Sequence, residues 1–299
     1  RKEILMKNKW HIVTIGHLTR NIYWGEDNSK VLHPCIATCS VVESEYGNIL
    51  IDPSLPGEAL AKELYDQTGI RAEDIAYTYS THCHLDHWTG TEAFPNAKIC
   101  MPKEDLAYLT EDRALYHGVR GQEIDRMVGI SGELVPGFSL VPLPGHSLGL
   151  HGLLFDGPEG KILAAGDACM GYEYFHAKRG YFWSAEYELS CQSIEKAAEI
   201  ADVIIPGHGN YFSVKAYKYD EATENETMPA TEPGVVSEYT RLRDVIYDSK
   251  KLEILRSYLP NLDEAALRIA RDVPLHALIL NMPADSQEKK EELLAALNR

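Results

Sequence analysis

Residues 81–90 read THCHLDHWTG, and they place three histidines and an aspartate within six positions, His82, His84, Asp86 and His87. The run follows DIAYTYS (74–80), which has the character of a strand. If the chain stays extended at first, the alternation of side chains points His82 and His84 the same way. A turn after that would direct Asp86 and His87 to a second position nearby. Neutral imidazole and carboxylate groups are good ligands of divalent metals, so the stretch predicts a metal site.

Three further donors follow strand-like runs and lie in glycine-containing turns: LPGHS with His146, AAGDA with Asp167 and IPGHG with His208. Side chains at the ends of strands meet at one edge of a sheet, where functional groups collect. Seven donors are more than one tetrahedral ion takes. They suit two ions, about 3.5–4 Å apart, with a hydroxide between them.

The pattern resembles the metallo-β-lactamase-fold superfamily of metallo-hydrolases, whose H-x-H-x-D-H motif stands here as HCHLDH. The resemblance covers about residues 12–212. It implies an α/β fold, a four-layer αβ/βα sandwich with the site at one edge between two central sheets. It also implies the ligand sets: His82, His84 and His146 for the first metal, Asp86, His87 and His208 for the second, and Asp167 bridging both.

Two divalent ions are the cofactors that the resemblance implies. Zinc is the usual occupant, and some related proteins use iron or manganese. A site of imidazoles and carboxylates without a thiolate does not choose among these metals. Cys35 and Cys39 lie in a strand-like run and are predicted to be core residues, and Cys83 is expected to point away from its neighbouring ligands.

The expected chemistry is hydrolysis, in which a hydroxide attacks an electrophilic carbonyl group. Asp86 is the predicted catalytic residue, orienting the nucleophile and carrying a proton to the leaving group. The aromatic segment after Asp167 supplies the predicted substrate-binding residues Tyr172, Tyr174 and His176. A hydrophobic lid or a dimer contact is the alternative interpretation of that segment.

Several functions are compatible with this site. A hydrolase of lactones or esters is favoured, and the alternatives are a glyoxalase II-like thioesterase, a phosphodiesterase and a persulfide dioxygenase-like enzyme with one iron. The complete set of seven donors favours a two-metal hydrolase over the dioxygenase. With 29 Lys and Arg against 45 Asp and Glu, the net charge is −16. This charge disfavours nucleic acids and anionic membranes as partners and leaves a small molecule as the expected one.

The chain of 299 residues is predicted to have a catalytic domain over 1–215, followed by a linker and a helical C-terminal extension over 216–299. The extension would pack on its own domain or form a homodimer contact. Six scattered cysteines, together with a charged start that lacks an apolar signal region, favour a reduced, cytoplasmic protein.

Overall fold

The computed structural model describes residues 8–27, 31–214, 235–238, 240–259, 262, 267, 275, 279 and 289–299. The chain divides into two compact units, residues 1–218 and 219–299. The predicted boundary between 215 and 216 lies outside the described residues.

The first unit contains a six-stranded sheet with the spatial order β1-β2-β3-β4-β5-β6. Strands β1 to β3 pair antiparallel, and β3 to β6 pair parallel. The strands are Lys9–Thr14 (β1), Cys39–Ser44 (β2), Gly47–Ile51 (β3), Ile75–Tyr79 (β4), Lys98–Pro102 (β5) and Val128–Ile130 (β6).

A second sheet has five strands in the order β11-β10-β9-β8-β7. Its strands pair antiparallel except for β9 and β10, which run parallel. The strands are Ser139–Pro142 (β7), His151–Gly157 (β8), Gly160–Gly166 (β9), Val203–Pro206 (β10) and Phe212–Ser213 (β11).

The two sheets pack face to face through a buried core. Alternation along the strands decides which side chains enter it, because successive residues point to opposite faces. Val42 and Ile49 face the second sheet, and Phe155 and Ile162 meet them from the other side. Val41 and Leu50, each one residue away, face the helices instead.

Helices cover both outer faces, which completes four layers and confirms the αβ/βα sandwich. On the first sheet, Leu60 and Leu64 of α1 (Gly57–Thr68) are four residues apart and therefore lie on one buried face. On the second sheet, Ile194 and Ala197 of α5 (Tyr187–Ile200) are three residues apart and also lie on one buried face. The helices are Gly57–Thr68 (α1), Lys103–Glu111 (α2), Gly118–Arg126 (α3), Tyr172–Ala177 (α4) and Tyr187–Ile200 (α5).

The described part of the second unit is helical, as the sequence predicts: Leu242–Ile246 (α6), Ser249–Tyr258 (α7) and Lys290–Leu297 (α8). Helices α6 and α7 are separate rather than continuous. The Asp248 side chain caps the start of α7 by accepting hydrogen bonds from the N–H groups of Lys250 and Lys251. These helices share a core of leucines that includes Leu242, Leu255 and Leu293. Among the described helices, none has the length and apolarity needed to span a membrane.

Candidate metal centre

The seven predicted donors meet at one edge of the two sheets. The loop after β4 carries His82, His84, Asp86 and His87, and a short 3₁₀ turn over Leu85–His87 bends its second half. The second sheet supplies the remaining donors after β7, β9 and β10: His146, Asp167 and His208. The structure therefore brings together every metal-binding residue predicted from the sequence.

The first group consists of His82, His84, His146 and Asp167, whose donor atoms lie within 4.8 Å of one another. Nδ1 of His84 lies 3.0 Å from Nε2 of His82 and 2.9 Å from Nε2 of His146. Nε2 of His146 lies 3.0 Å from Oδ2 of Asp167. Three imidazole nitrogens and one carboxylate oxygen thus face a common point, which is the donor set of a tetrahedral metal site.

The second group consists of Asp86, His87 and His208, together with Asp167. Nε2 of His87 and Nε2 of His208 lie 3.1 Å and 3.3 Å from Oδ1 of Asp167. Oδ2 of Asp86 lies 3.6 Å from Nε2 of His208. Asp167 therefore turns one carboxylate oxygen to each group, which is the placement a bridging ligand needs.

Unpaired buried atoms show that the two groups fit a bound cation. Within the described part of the chain, Nε2 of His87 and Oδ1 of Asp167 are buried without a well-formed hydrogen bond, although they lie 3.1 Å apart. Buried polar groups are almost always satisfied, and such exceptions often mark an absent ion. The donors therefore form a His/Asp metal-binding cluster.

An outer layer of groups orients these ligands. Oδ2 of Asp52 lies 3.1 Å from Nδ1 of His87, and the same carboxylate accepts from the backbone N–H and the hydroxyl of Thr81. The carbonyl oxygen of Ile36 lies 2.8 Å from Nδ1 of His208. Such partners fix the ring nitrogen that faces the metal.

We expect replacement of Asp52 by Asn to lower the metal affinity of the second group by about 10–100-fold, because His87 loses its orienting carboxylate. Competition with a chromophoric chelator measures the effect. Asp156→Asn is the matched control, since Asp156 is an exposed aspartate paired with Lys161. Equal affinities in both variants would show that Asp52 does not orient the ligand.

Glycines allow the metal-bearing loops to approach one another closely. A Cβ atom at Gly207 would collide with Oδ1 of Asp167, and one at Gly166 would collide with the Thr81 side chain. Gly145, just before His146, has a φ of 135° and packs against the backbone of Ser190. Close packing at the site therefore explains why a glycine directly precedes both His146 and His208.

Burial and charge divide the histidines into two classes. Burial lowers the pKa of His82 and of His84, and neighbouring imidazoles lower both further. Burial also opposes the charged forms of His87 and His208, but the Asp167 carboxylate outweighs it. The pKa of His87 is raised well above its usual range, and that of His208 is raised to about 10. Burial likewise opposes ionisation of Asp167, but the imidazoles outweigh it and hold its pKa well below the usual range.

Metal binding to the second group is therefore expected to release protons, since a ligand imidazole must be neutral. His208, with a pKa of about 10, carries a proton at neutral pH in the metal-free protein, and Asp167 does not. The apparent affinity should thus rise with pH between about 6 and 8, by about tenfold per pH unit for each proton displaced. Calorimetric titration in buffers of different ionisation enthalpy counts these protons. A pH-independent affinity would contradict the expectation.

A cavity of about 650 Å³, here named the metal pocket, opens beside both groups. His84, Asp86, His146, Asp167 and His208 contribute to its lining. The rest of its described lining is Leu18, Thr19, Cys35, Met170, Tyr181, Trp183, Ser184 and Ala185.

The predicted substrate-binding residues do not line the metal pocket. Tyr174 is buried against Tyr23 and Tyr181. Tyr172 lines a neighbouring cavity and stacks on His176. Their contact with substrate stays a prediction.

The prediction that Cys35 and Cys39 are both core residues is wrong for Cys35. Cys39 is fully buried under α1, whereas Cys35 is exposed and lies beside Asp86 and His208. The reason is that β2 begins only at Cys39, so Cys35 lies on the loop before it. The predicted absence of a thiol from the site is wrong for the same reason. Cys83 packs beside Trp88 as expected.

Comparison with known proteins extends this picture. The chain matches the family model of the metallo-beta-lactamase superfamily over residues 32–208. An N-acyl homoserine lactonase of Bacillus cereus is 28% identical over 188 residues, covering 54% of this chain and 75% of that protein. Metallo-beta-lactamase domain-containing protein 1 of Mus musculus is 28% identical over 203 residues, covering 64% and 72%.

Solved structures show the same fold. A Thermotoga maritima protein described as a metallo-beta-lactamase has a TM-score of 0.52 at 18% identity, covering 69% of this chain and 99% of that one. A mutant of Bacillus thuringiensis AiiA with N-decanoyl-L-homoserine at its active site has a TM-score of 0.50 at 23% identity, covering 68% and 92%. Because the family model spans more than half of the chain and the His/Asp cluster is assembled, the protein belongs to the metallo-β-lactamase superfamily and is a metal-dependent hydrolase.

Proposed function

We propose that the protein hydrolyses a small, uncharged lactone or ester at a centre of two divalent metal ions, zinc being the metal expected. In this proposal His82, His84 and His146 hold one ion and Asp86, His87 and His208 hold the other. Asp167 bridges them, as the opposite directions of its two carboxylate oxygens suggest.

The lining of the metal pocket is the observation that carries the proposal. Beside the donors stand the apolar or aromatic side chains of Leu18, Met170, Tyr181 and Trp183. No lysine or arginine occurs among the described residues that line it. Such a wall suits an uncharged substrate with an apolar part better than a phosphodiester or an anionic thioester.

When bound, two such ions supply an activated hydroxide and a Lewis acid for the carbonyl oxygen. The side chains of the protein position the substrate and transfer the proton to the leaving group. The Asp86 carboxylate lines the pocket with about a fifth of its side chain exposed, so it can accept a proton there and pass it to a leaving alkoxide. The apolar wall holds the remainder of the substrate and excludes water.

Asp86→Asn is expected to lower turnover by about 10²–10⁴-fold, because the amide cannot carry the proton. The four donors of the first group remain, so the variant should keep at least one ion per chain. Metal analysis and turnover, measured on the same preparation, separate the two effects. Full turnover with full metal content would remove Asp86 from the mechanism.

The lactonase relatives support the lactone class. The test is a substrate panel on protein loaded with zinc or with manganese. It contains N-acyl homoserine lactones of increasing acyl length, simple γ-lactones, aryl esters, a glutathione thioester and an aryl phosphodiester. We expect lactone opening, followed by proton release, with kcat/KM rising as the acyl chain lengthens.

A variant of the apolar wall, formed by Leu18, Met170, Tyr181 and Trp183, tests whether that wall holds the acyl chain. Trp183→Ala removes an exposed wall residue and should reduce the preference for long acyl chains, while γ-lactone turnover stays near that of the unmodified protein. Preference for the thioester or the phosphodiester would overturn the proposal. One iron per chain with oxygen consumption on a persulfide would replace it with the dioxygenase.

A further inference from the structure

The thiol of Cys35 lies among the donors of the second group, although Cys35 lies on the loop before β2 and is at least 51 residues from any of them in sequence. Sγ of Cys35 donates to Oδ2 of Asp86 at 3.2 Å and lies 3.9 Å from Nε2 of His208. The same Asp86 oxygen lies 3.6 Å from Nε2 of His208 and 3.8 Å from Nε2 of His87. The Cys35 sulfur, the Asp86 oxygen and the His208 nitrogen thus lie within 4.8 Å of one another and could hold one ion, and the His87 nitrogen lies beside the same Asp86 oxygen.

One of these nitrogens independently indicates a ligand at this place. His87 is fully buried, and its Nε2 makes no well-formed hydrogen bond within the described structure, the nearest carboxylate oxygen being Oδ1 of Asp167 at 3.1 Å. This nitrogen lies 3.8 Å from Oδ2 of Asp86, and it shares Oδ1 of Asp167 as a neighbour with Nε2 of His208. A cation beside these donors would give this buried nitrogen the partner that the protein alone does not supply with good geometry.

The backbone around Cys35 is tied to the segment that carries His208. The carbonyl of Ile36, the next residue, accepts from Nδ1 of His208 and from the N–H of His17. The N–H of Thr38 donates to the carbonyl of Gly207 at 2.7 Å. These bonds hold Cys35 in place although it is exposed and outside a strand.

We propose that Cys35 is a protein ligand of the metal ion held by the second group, an inference that rests on the proposed two-ion centre. On binding, the thiol loses its proton to solvent, and a sulfur–metal bond replaces the hydrogen bond to Asp86. A thiolate is a softer donor than a carboxylate or an imidazole. Cys35 therefore biases this half of the site towards zinc or cobalt and against manganese.

Cobalt(II) reports the bond directly. The whole protein, Cys35→Ser and Cys191→Ser are each titrated with cobalt(II) after chelation and followed by absorption spectroscopy. The wild type and Cys191→Ser should show a thiolate-to-cobalt charge-transfer band in the near ultraviolet, and Cys35→Ser should lack it while keeping the visible bands of bound cobalt. Cys191 is a suitable control because its sulfur accepts from the N–H of Gly180 and lies outside the described lining of the metal pocket.

Metal competition and thiol reactivity give two readouts that do not depend on any substrate. In Cys35→Ser the ratio of zinc to manganese affinity at the second position should fall by more than about 10-fold, as expected from loss of a soft donor. Zinc should slow the alkylation of Cys35 by iodoacetamide, with the modified residue located by mass spectrometry.

The outcomes separate this inference from the proposed function. Visible cobalt bands without a charge-transfer band in the wild type would overturn the role of Cys35 and leave the two-ion hydrolase intact. Binding of fewer than two ions per chain would overturn both. A normal charge-transfer band together with no lactone or ester turnover would overturn only the proposed substrate class.

Discussion

Replacement of Asp167 by Asn is expected to strip metal from both halves of the site and to lower turnover by more than about 100-fold. The expected loss exceeds the range known for removal of a group that only orients a ligand. Each carboxylate oxygen of Asp167 faces a different set of imidazoles, so a single neutral amide weakens both sets at once. Elemental analysis after gel filtration, combined with turnover, measures the result.

Asp125→Asn is the control for Asp167→Asn, because Asp125 is an exposed aspartate paired with Arg113. It should keep its metal and its activity. Circular dichroism of the Asp167 variant should match that of the metal-free wild type, since Asn has the same shape. If the variant retained two ions and normal turnover, Asp167 would not bridge the site.

Replacement of Gly207 by Ala is expected to have the second largest effect, although glycine carries no functional group. The added Cβ would collide with Oδ1 of Asp167 and lie about 3 Å from the backbone at Gly166 and Asp167. The carboxylate must move, which costs about 1–3 kcal/mol as overpacking. Because that oxygen faces the second group, metal content should fall towards one ion per chain, and activity should fall with it.

Gly69→Ala separates a metal-site effect from ordinary loss of stability. Gly69 ends α1 with a φ of 76°, and no atom lies within 4 Å of the added Cβ. This variant should lose about 1 kcal/mol of stability through backbone strain and keep both ions. Thermal denaturation and metal analysis on both variants make the comparison. Equal metal content in the two would show that the Asp167 carboxylate tolerates the added methyl group.

The metal donors were predictable because each one lies in the loop that follows a strand, and the loops after neighbouring strands meet at a sheet edge. The same rule also points to Asp52, which ends the run NILID as Asp167 ends ILAAGD. Asp52 was nevertheless not predicted as a site residue. Its position becomes informative only when β3 and β4 are seen to be parallel neighbours.

Cys35, Tyr181 and Trp183 carry no comparable signal. They lie on loops, and they reach the metal pocket through contacts between residues far apart in sequence, such as the bridge between His17 and Ile36. No local periodicity records such contacts. Helix α3 was not predicted for a different reason: its sequence, GVRGQEIDR, contains two glycines and few apolar residues and so lacks a helical pattern.

The placement of donors on both sheets has a consequence for how the protein matures in the cell. During synthesis the segment with His82 to His87 emerges well before His146 and His208, so a nascent chain offers only part of each coordination sphere. High-affinity capture must wait until the second sheet has docked on the first, because metal sites rarely exist before folding. A metal held by donors from both sheets would link the two halves of the sandwich, so the finished fold rather than the histidine-rich segment alone would select the metal.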